Sequence, residues 1–227
     1  MQPSTRLMLC LALSFLIARP VHARKKHKKG ELAISKRGKL VFEDDFSSKE
    51  LLWSFDRNRC EWKLTKKALL TRSGGTSSDT TVHRPYAPLR DVVLEFRALL
   101  PMQGDVSLFY KGGIRDTPWA KVFVTPNAQF AIYVGGEGGT RKALALSPLV
   151  YRKPRWLEVA FEVIGSRYAL TVDGRTIVCD FPNPDRGDAT AFAIGMNKKP
   201  DDVFAIDDVK VHEALPKDED RKNKKKH

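Results

Sequence analysis

The most regular stretch of the chain, WLEVAFEVI over residues 156–164, alternates strictly: Leu157, Val159, Phe161 and Val163 share one side, and Glu158, Ala160 and Glu162 the other. A period of two belongs to an extended strand with one face buried and one wetted, because successive side chains leave a pleated backbone on opposite sides. Two further runs, YALTV (168–172) and TIVCDF (176–181), follow after Gly165-Ser166 and Asp173-Gly174. Those dipeptides suit tight reversals, so the three runs read as consecutive hairpins. Comparable runs rich in Val, Ile, Phe, Tyr and Trp occur at 40–46, 61–65, 68–72, 80–84, 92–99, 106–111, 120–125, 129–134, 189–196 and 203–212, and no long helical stripe interrupts them. Short antiparallel strands in this order predict an all-β chain: two packed antiparallel sheets in a jelly-roll sandwich over residues 40–216.

The ends of the chain read differently. Arg6 precedes an apolar run, LMLCLALSFLIA at 7–18, which is shorter than the ~20 residues a spanning helix needs. Val21 and Ala23 supply the small residues of a cleavage site, so residues 1–23 are expected to be a signal peptide and the protein exported, extracellular, periplasmic or at the cell surface. No second apolar run of membrane length exists, and no transmembrane span is expected. The formal charge of +13 on 227 residues sits almost wholly outside the predicted sandwich: residues 24–39 hold eight basic and one acidic residue, and 217–227 six and three. Neither segment has apolar periodicity, and both are expected to be disordered basic tails. Residues 40–216 then carry only +1, which excludes a folded surface built to neutralise a row of phosphates in a specific nucleic acid. The tails suit a polyanionic glycan or an anionic envelope surface. Cys10 leaves with the signal; Cys60 and Cys179 then form one disulfide in an oxidising compartment, or remain two buried thiols.

Chemistry-bearing motifs are sparse. The histidines are scattered rather than at zinc-ligand spacing, and no Gly-x-Ser-x-Gly elbow, Walker or dinucleotide motif is present. Glycoside cleavage needs two carboxyl groups across one bond; the candidates are Glu95, Glu158 and Glu162, of which the last two lie too far apart along one strand to act as a pair. Sugar binding needs an aromatic plate and a few fixed polar groups. Trp119, after the Asp116-Thr117-Pro118 loop, and Tyr133 are the candidate plates, and Arg97, Lys111 and Gln129 the candidate polar contacts.

The order of LVFEDDF (40–46), Trp62-Lys63-Leu64, the 92–99 strand, Trp156-Leu157-Glu158-Val159, YALTVDG (168–174) and IDDVKV (206–211) resembles the concanavalin A-like lectin/glucanase sandwiches, a group that includes laminin-G-like modules and 3-keto-disaccharide hydrolase-like domains. The resemblance implies a carbohydrate partner. It departs from the β-glucanases in lacking a Glu-x-Asp-x-Glu strand, and from the hydrolase-like domains in reading Tyr110-Lys111-Gly112-Gly113-Ile114-Arg115 where they carry Asn-Ser-Gly-Ile. The expected function is therefore an exported glycan-binding module without a catalytic set. The alternatives are a hydrolase using Glu95, Glu158 and Glu162, and a structural envelope protein. Related sandwiches often tie their terminal strands with calcium, which makes Asp44, Asp45, Asp207 and Asp208 candidate ligands.

Overall fold

Alternation along the chain resolves into two sheets, each turning its apolar side to the other. The structure is a computed structural model that describes residues 31–48, 53–55, 61–65, 68–72, 80–100, 104–110, 118–123, 128–135, 141–182, 188–198 and 203–217. The expected signal peptide, the basic runs at 24–30 and 218–227, Cys60 and Lys111 lie outside the described residues. The strands, in chain order, are β1 (Ser35–Asp44), β2 (Ser54–Phe55), β3 (Glu61–Leu64), β4 (Leu69–Arg72), β5 (Thr80–Leu89), β6 (Val92–Leu100), β7 (Gly104–Tyr110), β8 (Trp119–Phe123), β9 (Gln129–Gly135), β10 (Arg141–Pro148), β11 (Arg155–Ile164), β12 (Arg167–Val172), β13 (Arg175–Asp180), β14 (Ala189–Lys198) and β15 (Val203–Pro216). No helix occurs among the described residues.

One sheet has eight strands in the order β13-β12-β11-β6-β15-β4-β3, with β1 pairing β15 beside β4; the other has seven, β10-β9-β8-β7-β14-β5-β2. Every pairing is antiparallel. The protein is thus an all-β two-sheet sandwich of the expected class. Its core is built from alternate positions: Leu94, Phe96, Leu157, Phe161, Tyr168 and Leu170 from the larger sheet meet Val106, Leu108, Val122, Phe130, Ile132 and Ile194 from the smaller. Fully burying a side chain such as Phe161 or Phe130 contributes about 1.5–3 kcal/mol each, so this one layer dominates stability.

The hairpins form where the turn residues accept left-handed backbone. Asp173 and Gly174 both have positive φ, 49° and 73°, the combination a two-residue turn needs to match strand twist. Asp173 also ties the turn down, since its carboxylate accepts the Glu158 N–H at 3.0 Å and pairs with Arg155.

Two strands escape the sequence pattern. β10, RKALALSP, is built from Ala, Leu and Lys, which have no intrinsic preference for strands; its pairing with β9 across a register shift makes it one. β2 spans only Ser54–Phe55. The N-terminal boundary also differs from the expectation that disorder reaches residue 39. Strand β1 starts at Ser35, with Ser35 opposite Pro216, and residues 31–34 lead into it.

The reason is a carboxylate. Glu162, on the outer side of β11 and 0% exposed, accepts the N–H of Ala33 at 2.7 Å through Oε1, and the N–H groups of Ile34 and Ser35 at 2.9 Å and the Ser35 hydroxyl at 2.8 Å through Oε2. Residues 31–35 thereby cross the outer face of the larger sheet, where Leu32 packs with Val93 and Ala214. Basic composition predicts a solvated tail; a buried anion that satisfies consecutive donors outweighs it. Glu162→Ala is expected to cost about 3 kcal/mol in urea denaturation and to release hydrogen-exchange protection at Ile34 and Ser35. Unchanged protection would mean that Leu32 alone holds the segment.

Candidate functional site

Each sheet presents an outer face, and the sequence-predicted site residues divide between them. On the larger sheet, the register places Glu95 opposite Ala160 and Lys210, and Arg97 opposite Glu158 and Asp207. Glu95, Glu158 and Glu162 share this face, as the alternation implies, yet they do not form an acid and base pair. Glu162 is sealed beneath the N-terminal segment. Glu95 accepts two hydrogen bonds at 2.6 Å from the Arg37 guanidinium, and its Oε2 lies 3.8 Å from Nε2 of His212. The Glu95 contact raises the Arg37 pKa. His212 moves the other way, lowered by burial against the partial offset of Glu95. Glu158 lines, together with Glu95, a cavity on this face. That cavity, ≈ 250 Å³, is bordered by Glu31, Leu32, Glu95, Arg97, Thr171 and Lys210.

Arg97 is the organiser of this face. Its guanidinium stacks on the Trp156 ring, 4.9 Å from the centroid, and its Nη1 lies 3.3 Å from Asp207 and 3.4 Å from Asp208. Adjacent strand residues normally point to opposite faces. A register shift between Asp207 and Lys210 and a positive φ of 50° at Asp208 supply the bulge that turns both carboxylates to one cation.

This geometry answers the calcium expectation. β1 and β15 do pair, as a terminal tie would require. Asp44, however, accepts the Phe46 N–H at 2.7 Å through one oxygen and Trp53 Nε1 at 2.8 Å through the other. Asp45 accepts the N–H and hydroxyl of Ser47 at 3.0 and 2.6 Å. Arg97 already supplies the positive charge beside Asp207 and Asp208, and no group of three or more His, Cys, Asp or Glu among the described residues could hold a metal ion. Among the described residues the four aspartates are thus engaged by these donors and form no metal-ligand cluster.

The outer face of the smaller sheet holds the aromatic candidates. Trp119 lies opposite Tyr133 in the β8–β9 register, and the rings stack with centroids 5.1 Å apart. Trp119 is 2% exposed. It is therefore not the open plate expected of it but a support for Tyr133, which is half-buried. Gln129 is also half-buried on this side, next to Phe123 and Pro148 in register. Arg97 belongs to the opposite face, so the expected binding set is split between sheets. Sequence reading missed the polar group beside the aromatics: Lys121 Nζ lies 3.0 Å from the Asp105 carboxylate, and Ser107 stands opposite Lys121. Their signal was the odd polar position in WAKVF and the alternation of GDVSLFY. Lys121 and Ser107 are buried although they point away from the core.

Cys179 is a free thiol among the described residues, and Cys60, its expected disulfide partner, lies outside them. Cys179 pairs in register with Tyr168 and packs against the core, and burial, with Asp180 adding to it, pushes the thiol up to about 12.

The chain matches no known sequence family and no curated protein. Its fold is that of concanavalin A-like and galectin-like sandwiches. A Bacillus subtilis protein with a galectin-like fold is similar at a TM-score of 0.61 and 12% identity, covering 81% of this chain and 100% of its own. SCLam, a non-specific endo-β-1,3(4)-glucanase of family GH16, is similar at 0.60 and 14%, covering 80% and 93%. The exoplasmic/lumenal domain of VIP36, solved with Ca2+ and Man3GlcNAc bound, is similar at 0.56 and 13%, covering 76% and 88%.

Two outcomes are expected from these contacts. Burial holds the Asp207 pKa above its usual value, with Arg97 opposing the rise. The folded state thus keeps this proton more tightly than the unfolded state, and the stability it contributes is lost as pH rises through the folded pKa. Arg97→Leu removes the opposing charge, so the Asp207 carboxyl should titrate at higher pH by NMR, with more stability lost as pH rises through that titration; an unmoved titration would remove Arg97 from the balance. The Cys179 thiol should resist iodoacetamide at pH 8 in the folded protein and react once urea unfolds it. Prompt labelling without denaturant would contradict its burial.

Proposed function

We propose that the protein is an exported glycan-binding module, and that its binding face is the outer side of the seven-stranded sheet around Tyr133. The observation that carries this reading is the Trp119–Tyr133 stack set beside the Lys121–Asp105 pair. A pyranose offers an apolar ring face and a rim of hydroxyls. The half-exposed Tyr133 provides a surface for the first, held rigid by Trp119 beneath it, and Asp105, Ser107 and Lys121 provide fixed donors and acceptors for the second. Rigid aromatic and ion-paired groups lose little freedom on binding, which favours affinity. Similarity to carbohydrate-binding sandwiches supports the class of ligand. Export rests on the signal-like residues 1–23, and no helix among the described residues is long and apolar enough to cross a membrane.

Catalysis is not part of this reading, because two of the three candidate carboxylates on the other face hold the chain: Glu162 binds Ala33, Ile34 and Ser35, and Glu95 binds Arg37. A glycan array followed by affinity electrophoresis tests it. Tyr133→Ala should weaken retention on the bound polysaccharide at least tenfold, while the thermal midpoint falls by only a few degrees, about the worth of one aromatic stack. Retention unchanged in that variant would reject the face. Release of shorter sugars from the polysaccharide would replace the module with a hydrolase.

A further inference from the structure

We infer that Arg37, Glu95 and His212 form an acid-sensitive latch that holds β1, and residues 31–34 leading into it, against the larger sheet, and that protonation of His212 releases them. Strand β15 lies between β1 and β6. Arg37 on β1 reaches across it to Glu95 on β6, where its Nε and Nη2 each donate at 2.6 Å to one carboxylate oxygen. His212 stands on β15 beneath that bridge, opposite Leu40 of β1 and Val93 of β6. Its Nε2 lies 3.8 Å from Glu95 Oε2, while its buried Nδ1 has no hydrogen-bond partner among the described residues. The β1–β15 register shifts on both sides of this position, between Arg37 and Leu40 and between Leu40 and Phe42. The main-chain ladder is thus interrupted beside His212, and the Arg37–Glu95 bridge takes a larger share of the attachment there.

The charges around His212 leave no room for another cation. Arg37 faces it from β1, Lys210 from its own strand, and Glu95 from β6. Glu162 on β11, beyond Val93 in the register, is occupied by the N–H groups of residues 33–35. Glu31, Lys36, Lys39 and Glu213 are exposed to solvent, and Lys217 Nζ is bound to the Leu32 carbonyl. An imidazolium would therefore compete with Arg37 for the one carboxylate, meet Arg37 and Lys210 as like charges, and carry a second N–H into a buried position. Burial lowers the His212 pKa, with Arg37 and Lys210 acting in the same direction, against Glu95 and the Gly38 backbone. The latched form thus binds the proton less tightly than a form in which His212 is solvated. Stability of the latch is present above the ordinary histidine pKa of 6.5 and is lost as pH falls through the lowered value. Release uncovers Val93 and Ala214, against which Leu32 packs, and so remodels the outer face of the larger sheet. The Tyr133 face lies on the other sheet, and no step here depends on it.

Hydrogen exchange of the full chain, corrected for the intrinsic pH dependence of the amide reaction, tests the latch at the N–H groups of Ala33, Ile34 and Ser35. Between about pH 7.5 and about pH 5.5 their protection should fall at least about threefold, while Phe161 in the core of β11 keeps its protection. His212→Gln retains a polar side chain that does not titrate, and its protection at the three amides should be the same at both pH values. Constant protection in the parent, or a fall that survives in His212→Gln, would overturn the latch and, in the second case, assign the response to another group. Arg37→Gln, at an exposed side chain, keeps the test open should His212→Gln not fold. It should lower protection at about pH 7.5 by at least about threefold and raise the midpoint of the His212 imidazole in an NMR titration. Unchanged protection, or an unmoved midpoint, would remove Arg37 from His212 and overturn the inference.

Discussion

A sandwich of two sheets has only one place to hide apolar surface, and that constraint orders everything else in this molecule. Each strand has one apolar side, so the inner sides must meet, and every polar group with chemistry to offer is forced onto one of two outer faces that point away from each other. Arg97 on β6 and Tyr133 on β9 are both outward residues, yet they end up back to back, on opposite sheets. Any single ligand can meet one or the other, never both. The larger sheet has its outer face partly closed by residues 31–35, whereas the smaller carries aromatic and ion-paired side chains on its outer side.

The strands were the legible part of the sequence. Runs such as 92–99 and 156–164 announce both their extended form and their buried side, because period two is a local property and needs no knowledge of partners. Sheet membership is not local. Nothing in WAKVF or QFAIYVG tells which sheet either joins, and so Arg97, Lys111, Trp119, Gln129 and Tyr133 looked like one set from sequence. Burial on an outer face is equally invisible. Trp119 alternates outward and follows a proline, which suggests exposure, while its packing on Tyr133 is a matter of cross-strand register. β10 failed for the opposite reason: its Ala and Leu residues carry little strand preference, and the neighbour β9 decides its conformation.

Acidic residues were the most misleading class. From sequence a paired or facing carboxylate suggests acid-base work or a metal. In the fold, most of those carboxylates accept hydrogen bonds from main-chain N–H groups that no neighbouring strand satisfies: Asp44 at Phe46, Asp45 at Ser47, Asp91 at Gly165, Asp173 at Glu158 and Glu162 at three consecutive residues. A sandwich leaves donors unpaired at corners and where a segment crosses a face, and a short anionic side chain is an economical acceptor for them. Carboxylates in an all-β chain should therefore be weighed first as ties for irregular backbone. The doubled acid Asp207-Asp208 is a variant in which the donor is the Arg97 side chain and the backbone itself has buckled to bring both groups to it.

The antiparallel register of β1 on β15 also sets the mechanical character of the molecule. Because Ser35 and Pro216 lie at the same end of the pair, a pull applied through residues 31 and 217 would not shear the two strands past each other, in which case all the ladder bonds resist together. It would peel them apart from that end, one rung at a time, with the Lys217–Leu32 contact and the Glu162 clamp as the first to part. A tether fixed to both ends at once, by contrast, leaves the pair unloaded. Tension borne by either end alone has no second attachment to work against, and the ladder between β1 and β15 carries none of it.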